Sequence, residues 1–307
     1  MYNSLLGVGC KIPSENSVKL ILGIFLSCGM LLSYIPQFYK IIYKKTSEGL
    51  SVYFILLGNL GSISVVSNVL ILQFPVFHCC SKNWPAITCA ENVMGITQVA
   101  IQLCCLFLLT SLYFIYFPEH LKFEFSGPIH QSEDDTQNVS SFPAHSHIIE
   151  YRASRQWRRS IMVGFSIIAF TFLAAVTVTR SLILESLNPN IPNGERSQGA
   201  IAIASVFGIS ATFLAIVQFV PQIITTFLAR RVGALSIPTM LIQCPGSFVF
   251  VYSIYIQPGT NFTSYISYLA SGTLQAVLLI IAIIWHFNQT HEAEYLAIVN
   301  NEDEDDL

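Results

Sequence analysis

Along the chain, apolar runs of about twenty residues alternate with short polar stretches. A run of that length crosses a hydrocarbon layer as an α-helix, because the backbone there must satisfy its own hydrogen bonds. Seven stretches meet this standard: Val18–Tyr43, Val52–Gln73, Val93–Phe117, Ser160–Leu182, Gly199–Leu228, Ile237–Ile256 and Tyr265–Phe287. The expected fold class is therefore an all-α membrane protein with seven transmembrane helices. Residues 1–17 precede the first span, 75–92 form a cysteine-bearing loop, 118–159 form the longest connection and 288–307 form an acidic tail. The first apolar run is too long for a signal-peptide core and lacks a basic flank and a small-residue cleavage site, so it reads as a retained span.

The chain also repeats itself. Pro36-Gln37 and Pro221-Gln222 lie 185 positions apart, and the same offset maps Gly23 onto Gly208, Leu50-Ser51 onto Leu235-Ser236 and Gly61-Ser62 onto Gly246-Ser247. The third span matches the seventh at an offset of 177, with Gly95 over Gly272 and Gln98 over Gln275. The longer loop 75–92 accounts for the difference. A three-helix unit ends on the side opposite its start, so two parallel copies need one extra helix between them, and Ser160–Leu182 supplies it. The expected order is three plus one plus three, about an axis along the membrane normal.

Composition agrees with this solvent: 53% of residues are hydrophobic and 11% charged. A net charge of −3, with no basic, aromatic-laced face, excludes a nucleic-acid partner. Lys40, Lys44, Lys45, Lys122, Arg152, Arg155, Arg158, Arg159, Arg230 and Arg231 gather on one side of the bundle, which the distribution of basic loops makes cytosolic. The N-terminus is then luminal or extracellular and the C-terminus cytosolic. Cys10, Cys79, Cys80 and Cys89 fall on the outer side, where disulfides persist. They are disulfide candidates with connectivity open; a zinc site including His78 is the lesser alternative. Cys28, Cys104, Cys105 and Cys244 read as packing thiols.

Paired Pro-Gln motifs, each closing the first helix of a three-helix unit and followed by "GLS" or "ALS" in register, resemble the PQ-loop repeat family. That family includes cystinosin-like lysosomal amino-acid exporters and is related to the SWEET sugar carriers. The stretches "YIPQFYKI" and "LLGNLGSISVVSNVLIL" are most similar to fungal members with a cysteine-bearing luminal loop. The resemblance implies the fold and transport, and it names no substrate.

Proline removes one helical hydrogen bond and its ring displaces the carbonyl four residues earlier, here Leu32 and Val217. Pro36, Gln37, Pro221 and Gln222 are thus candidate hinge and gate residues near the cytosolic mouth, with the two glutamines lining a cavity. Asn59, Asn68, Gln98, Gln102, Gln218, Gln243 and Gln275 are candidates for the solute path, because an amide in hydrocarbon must be paired or face a wet cavity. Each is weighed against a role as interhelical glue. Symmetry places both Gln98 and Gln275 toward the outer half of the same central path, and Asn59, about as deep from the cytosol as the hinges, is a candidate for the inner gate.

By these boundaries no Asp or Glu falls within a span, which points away from proton coupling and toward a facilitative carrier. Within the connection, "SEDDTQNVSS" reads as disordered and "EYRASRQWRRS" as an interfacial lead-in anchored by Trp157. Tyr295 to Ile298 fits the Y-x-x-Φ pattern of sorting adaptors and tilts location toward vacuole, lysosome or other endomembrane. Asn261 opens the one glycosylation triplet on the luminal side. No catalytic constellation, metal cluster or cofactor motif is expected. The leading function is a transporter of a small polar solute, with membrane lipids and sorting adaptors as further partners; the alternatives are a lipid scramblase or membrane organiser, and a seven-helix receptor or nutrient sensor.

Overall fold

The computed structural model describes residues 17–47, 50–82, 84–125, 151–186, 196–229, 237–257 and 260–305. Helices α1 (Ser17–Lys44), α2 (Val52–Lys82), α3 (Ala86–Ile115), α4 (Arg155–Ser186), α5 (Gln198–Ala229), α6 (Ile237–Tyr255) and α7 (Phe262–Asp305) follow one another. Among the described residues, six of these, all but α6, are long and apolar enough to cross a membrane, so the chain is a multi-pass helical membrane protein. At the expected site of the remaining crossing, α6 forms over 19 residues.

Several helices run past their apolar cores. Residues 75–92, expected as a loop, are almost entirely helical: α2 continues through Pro75 to Lys82, and α3 begins directly after Pro85. The buried stripe of α2 explains the extension, since Leu72, Val76 and Cys79 follow one another at helical spacing and are all buried. A Cys80–Cys89 disulfide, with Cα atoms 5.3 Å apart, then ties the end of α2 to the start of α3. Cys79 is disulfide-bonded as well, while Cys10 lies outside the described residues. The zinc alternative loses two of its thiols to the Cys80–Cys89 bond. Of the expected packing thiols, Cys105 and Cys244 are buried, whereas Cys28 and Cys104 are exposed on the bundle's outside.

The long connection enters and leaves through a short antiparallel ribbon, β1 (Phe123–Phe125) with β2 (Tyr151–Ala153), in which Phe123 faces Ala153. All of "SEDDTQNVSS" lies outside the described residues. Trp157 packs on Phe117 (ring centroids 4.9 Å apart) beneath the Lys122 ammonium at 5.6 Å. Its large apolar ring is covered by the end of α3.

Helix packing has a clear order. In the first half α3 lies between α1 and α2; in the second α7 lies between α5 and α6. The halves join where α2 runs along α5, while the equivalent pair, α1 and α6, meets over only a short stretch. Helix α4 rests mainly on α2. Surrounded by α3, α4, α5 and α7, α2 is the most enclosed helix of the bundle. Its small residues Gly58, Gly61, Ser62, Ser64 and Ser67 suit that position, because in lipid close helix contact rests on van der Waals fit. At the disulfide end Glu185 of α4 pairs with Arg196 and accepts from the Ser197 amide at 2.9 Å. Ser197 in turn caps α5 through the Ala200 amide at 3.1 Å. Burial pulls the Arg196 guanidinium down to about 10, so it stays charged at neutral pH and keeps this pair intact.

Two glycines related by the 185-residue offset mark the tightest crossings. A β-carbon on Gly23 of α1 would sit 2.0 Å from Met94 Cγ of α3, and one on Gly208 of α5 would sit 2.3 Å from the Thr263 carbonyl oxygen of α7. Met94 is flexible and backbone is not. Gly208→Ala is therefore expected to lower stability by about 1–3 kcal/mol, with a smaller loss for Gly23→Ala. Gly246→Ala, which meets nothing within 4 Å, should be neutral or stabilising; thermal unfolding of the purified variants reads the ranking.

Candidate functional site

One face of α3 carries a polar stripe at spacings of three and four: Thr88, Glu91 with Asn92, Gly95, Gln98 and Gln102. It looks toward the second half of the bundle. Gln98, wholly buried, donates to the Gly23 carbonyl of α1 at 3.2 Å and accepts from Ser253 of α6 at 3.4 Å. Gln102 accepts from the Tyr268 hydroxyl of α7 at 2.8 Å, and the Tyr268 ring packs edge-on against Phe250, 4.6 Å between centroids.

One turn toward the disulfide end the stripe meets two further glutamines. A β-carbon at Gly95 would lie 3.0 Å from Gln257 Cγ and 3.8 Å from Gln73 Oε1. Gln73 donates to Thr260 at 3.2 Å, yet its Oε1 has no partner, and neither amide atom of Gln257 has one. Gln73 is 1% and Gln257 4% exposed. A buried amide left unbonded is costly. Gln257, with both amide atoms unbonded, and Gln73, with its Oε1 unbonded, come from opposite halves of the bundle and meet beside Gly95. The atoms left without a partner are one donor, Gln257 Nε2, and two acceptors, the Oε1 atoms of Gln73 and Gln257.

Asn68 and Asn59 instead bond between helices. Asn68 is completely buried and donates to the Ala204 carbonyl of α5 at 2.7 Å and to Thr263 at 3.2 Å, while accepting from Ser264 at 2.8 Å. It locks α2 to α5 and α7. Asn59, expected at an inner gate from its depth, is buried and donates to Thr110 of α3 and to the Ile55 carbonyl, both at 2.8 Å, while its Oδ1 has no partner. Gln218 is half-buried with its Nε2 3.9 Å from the Gly58 position, Gln243 is exposed, and Gln275 is half-buried. Of the seven path candidates, Asn68, Gln98 and Gln102 make hydrogen bonds from one half of the bundle to the other.

Pro36 and Pro221 interrupt neither helix, and both are exposed. Pro36 shares its outward face with Ile35 and Tyr39, each more than half exposed. Gln37 is half-buried, and Gln222 follows Pro221 on α5. Tyr295 and Ile298 fall on the final turns of α7.

Three residues of the seam escaped sequence reasoning. Glu91 was excluded because the third span was begun at Val93, yet α3 starts at Ala86 and Glu91 is 1% exposed within it. The expectation of carboxylate-free spans is thereby corrected; Glu185 likewise belongs to α4. Gln73 was taken as the polar end of its span and Gln257 as the first residue beyond the sixth. The signal that could have found Glu91 was Pro85 as a helix start, followed by polar positions in phase with Gln98 and Gln102.

The sequence profile of the PQ loop repeat matches residues 20–78 and 203–263, the segments that hold α1 with α2 and α5 with α6. An uncharacterized protein of Schizosaccharomyces pombe is 30% identical over 276 residues, which cover 90% of this chain and 83% of the relative. The chain belongs to the PQ-loop repeat family.

Glue and site amides should separate by mutation. Asn68→Leu removes all three hydrogen bonds of the Asn68 amide and leaves the buried Ser264 hydroxyl without its acceptor, and should cost about 1–3 kcal/mol. Gln257→Leu removes an amide that has no partner and should leave the unfolding temperature unchanged or raised. Thermal unfolding in one detergent compares the two.

Proposed function

We propose that this PQ-loop repeat protein is a carrier that moves a small polar solute, amino-acid-like or sugar-like, by alternating access. Two parallel units, α1–α3 and α5–α7, joined by α4 in a three plus one plus three order, would rock about the polar seam between them. The observation that carries the reading is the pair of unsatisfied, buried glutamines, Gln73 and Gln257, meeting at Gly95 from opposite halves. A purely structural interface has no use for them, whereas a solute with hydroxyl, amino or carboxyl groups would satisfy them during passage. Gln98 and Gln102 continue the path inward.

The outward prolines fit this motion in a way that differs from lining a cavity. A proline ring pushes apart the turn on its own face, so the helix bends toward the opposite face. With Pro36 and Pro221 outside, the basic ends of α1 and α5 would lean inward and close the mouth on that side. We further propose that this mouth is cytosolic, from the distribution of Lys and Arg, and that the compartment is vacuolar, lysosomal or another endomembrane, with Tyr295–Ile298 as an adaptor motif. The facilitative reading rested on spans without acids; with Glu91 inside α3 that ground is gone.

Proteoliposomes loaded for uptake of labelled amino acids and sugars test the proposal. One solute should accumulate. Pro36→Leu and Pro221→Leu should each slow its uptake about tenfold or more, a change of roughly 1.4 kcal/mol in the barrier, while thermal unfolding stays near wild type. Gln257→Leu should weaken apparent solute affinity. No flux of any solute, together with rapid dithionite bleaching of labelled inner-leaflet lipid, would replace the carrier with a scramblase.

A further inference from the structure

At the basic end, away from the polar seam, a cavity of about 280 Å³ opens between the α1–α2 turn, the end of α3 and the start of α4. Leu50, Tyr53, Phe117 and Leu121 make its walls, and Ser47, Gln156 and Arg159 bring polar groups to it. The frame is firmly tied. The Ser47 amide donates to the Tyr116 carbonyl at 3.0 Å, and Tyr113 shares a 2.9 Å hydrogen bond with Ser160. The Ser47 hydroxyl, in a residue only 3% exposed, has no partner. Among the described residues Arg159 has no ion pair either, and Arg155, Arg158 and Lys45 stand close by in sequence, equally unpaired.

From this arrangement we infer a binding site for an anionic phospholipid of the leaflet at the basic end. The Arg159 guanidinium presents a planar fork that matches two phosphate oxygens, and the Ser47 hydroxyl supplies a further donor from the cavity floor. The surrounding cations complement a negative headgroup. The apolar wall argues for a lipid over a free anion. Tyr53 is 56% exposed, and Met162, one turn along α4 from Arg159, is 60% exposed. Together they extend the wall onto the hydrocarbon-facing surface, where an acyl chain runs. The occupant would touch Ser47, in the turn that follows the Pro36 helix, so its binding ties that turn to α3 and α4. This site is separate from the solute path and stands whether or not a solute is carried.

The full-length protein, purified in detergent, is titrated with water-soluble short-chain phosphatidylserine, the matched phosphatidylcholine, and inorganic phosphate, with unfolding temperature as the readout, since a ligand of the folded form raises it. Phosphatidylserine should stabilise the protein, and the other two should not at equal concentration. Arg159→Gln should weaken the apparent affinity about tenfold, Arg159→Lys less, and Ser47→Ala about threefold, while Arg180→Gln near the far end of α4 should match wild type. Arg159 is exposed and unpaired, so its variants are expected to fold. Equal stabilisation by phosphatidylcholine would reduce the cavity to an apolar slot, and the same shift from inorganic phosphate would make it a free-anion site. An unchanged titration in both Arg159→Gln and Ser47→Ala would move the lipid elsewhere. Each of these three outcomes overturns the inference.

Discussion

Inside a hydrocarbon layer a polar side chain has no water in reserve, so each buried amide must be bonded by protein, by ligand or by trapped water. That constraint sorts the interior of this bundle into two kinds of place. Asn68 has found all it needs: two acceptors and one donor, drawn from α5 and α7. Gln73 and Gln257 have not, although both are as deeply buried. Both kinds are buried, and both are amides; what separates them is whether the folded chain itself completes their hydrogen bonds. The division follows the architecture, because the satisfied residue staples the halves of the bundle and the unsatisfied pair lies where those halves face one another.

Much of this was legible in the sequence and some was not, for reasons that differ by residue. Apolar runs betray helices directly, since nothing else survives in lipid, and α1, α4 and α5 appear within a few residues of where the runs put them. The internal offset was informative beyond topology: Gly23 and Gly208, matched by sequence alone, are the two points where a first helix presses hardest on a third. Helix ends at the disulfide side were not legible. There α2 and α3 are shielded by one another and by a covalent bond, so polar residues such as Glu91 and Asn92 continue the helix that hydropathy would end. Which partners Gln98 takes was not legible in the repeat either. Repeats place equivalent residues in equivalent settings, but only residues near the symmetry axis touch their own counterparts, and Gln98 spends its bonds on Gly23 and Ser253.

Duplication should also produce two equal seams, α2 against α5 and α6 against α1, and the structure makes them unequal. At the first, Asn68 bridges to the Ala204 carbonyl. The position related to Asn68 by the 185-residue offset is Ser253 on α6, whose short hydroxyl reaches only Gln98 at 3.4 Å and does not span to α1. One substitution between repeats thus removes the staple from the second seam. Position 204 likewise corresponds to Lys19 on α1, so a small residue at the close seam becomes a long charged one at the loose seam. A bundle built this way opens most easily between α1 and α6, where few bonds have to break, and holds together between α2 and α5, where Asn68 has no alternative partner. The residues that diverged between the two copies, more than those that stayed alike, therefore decide which side of a nearly symmetric fold is free to move.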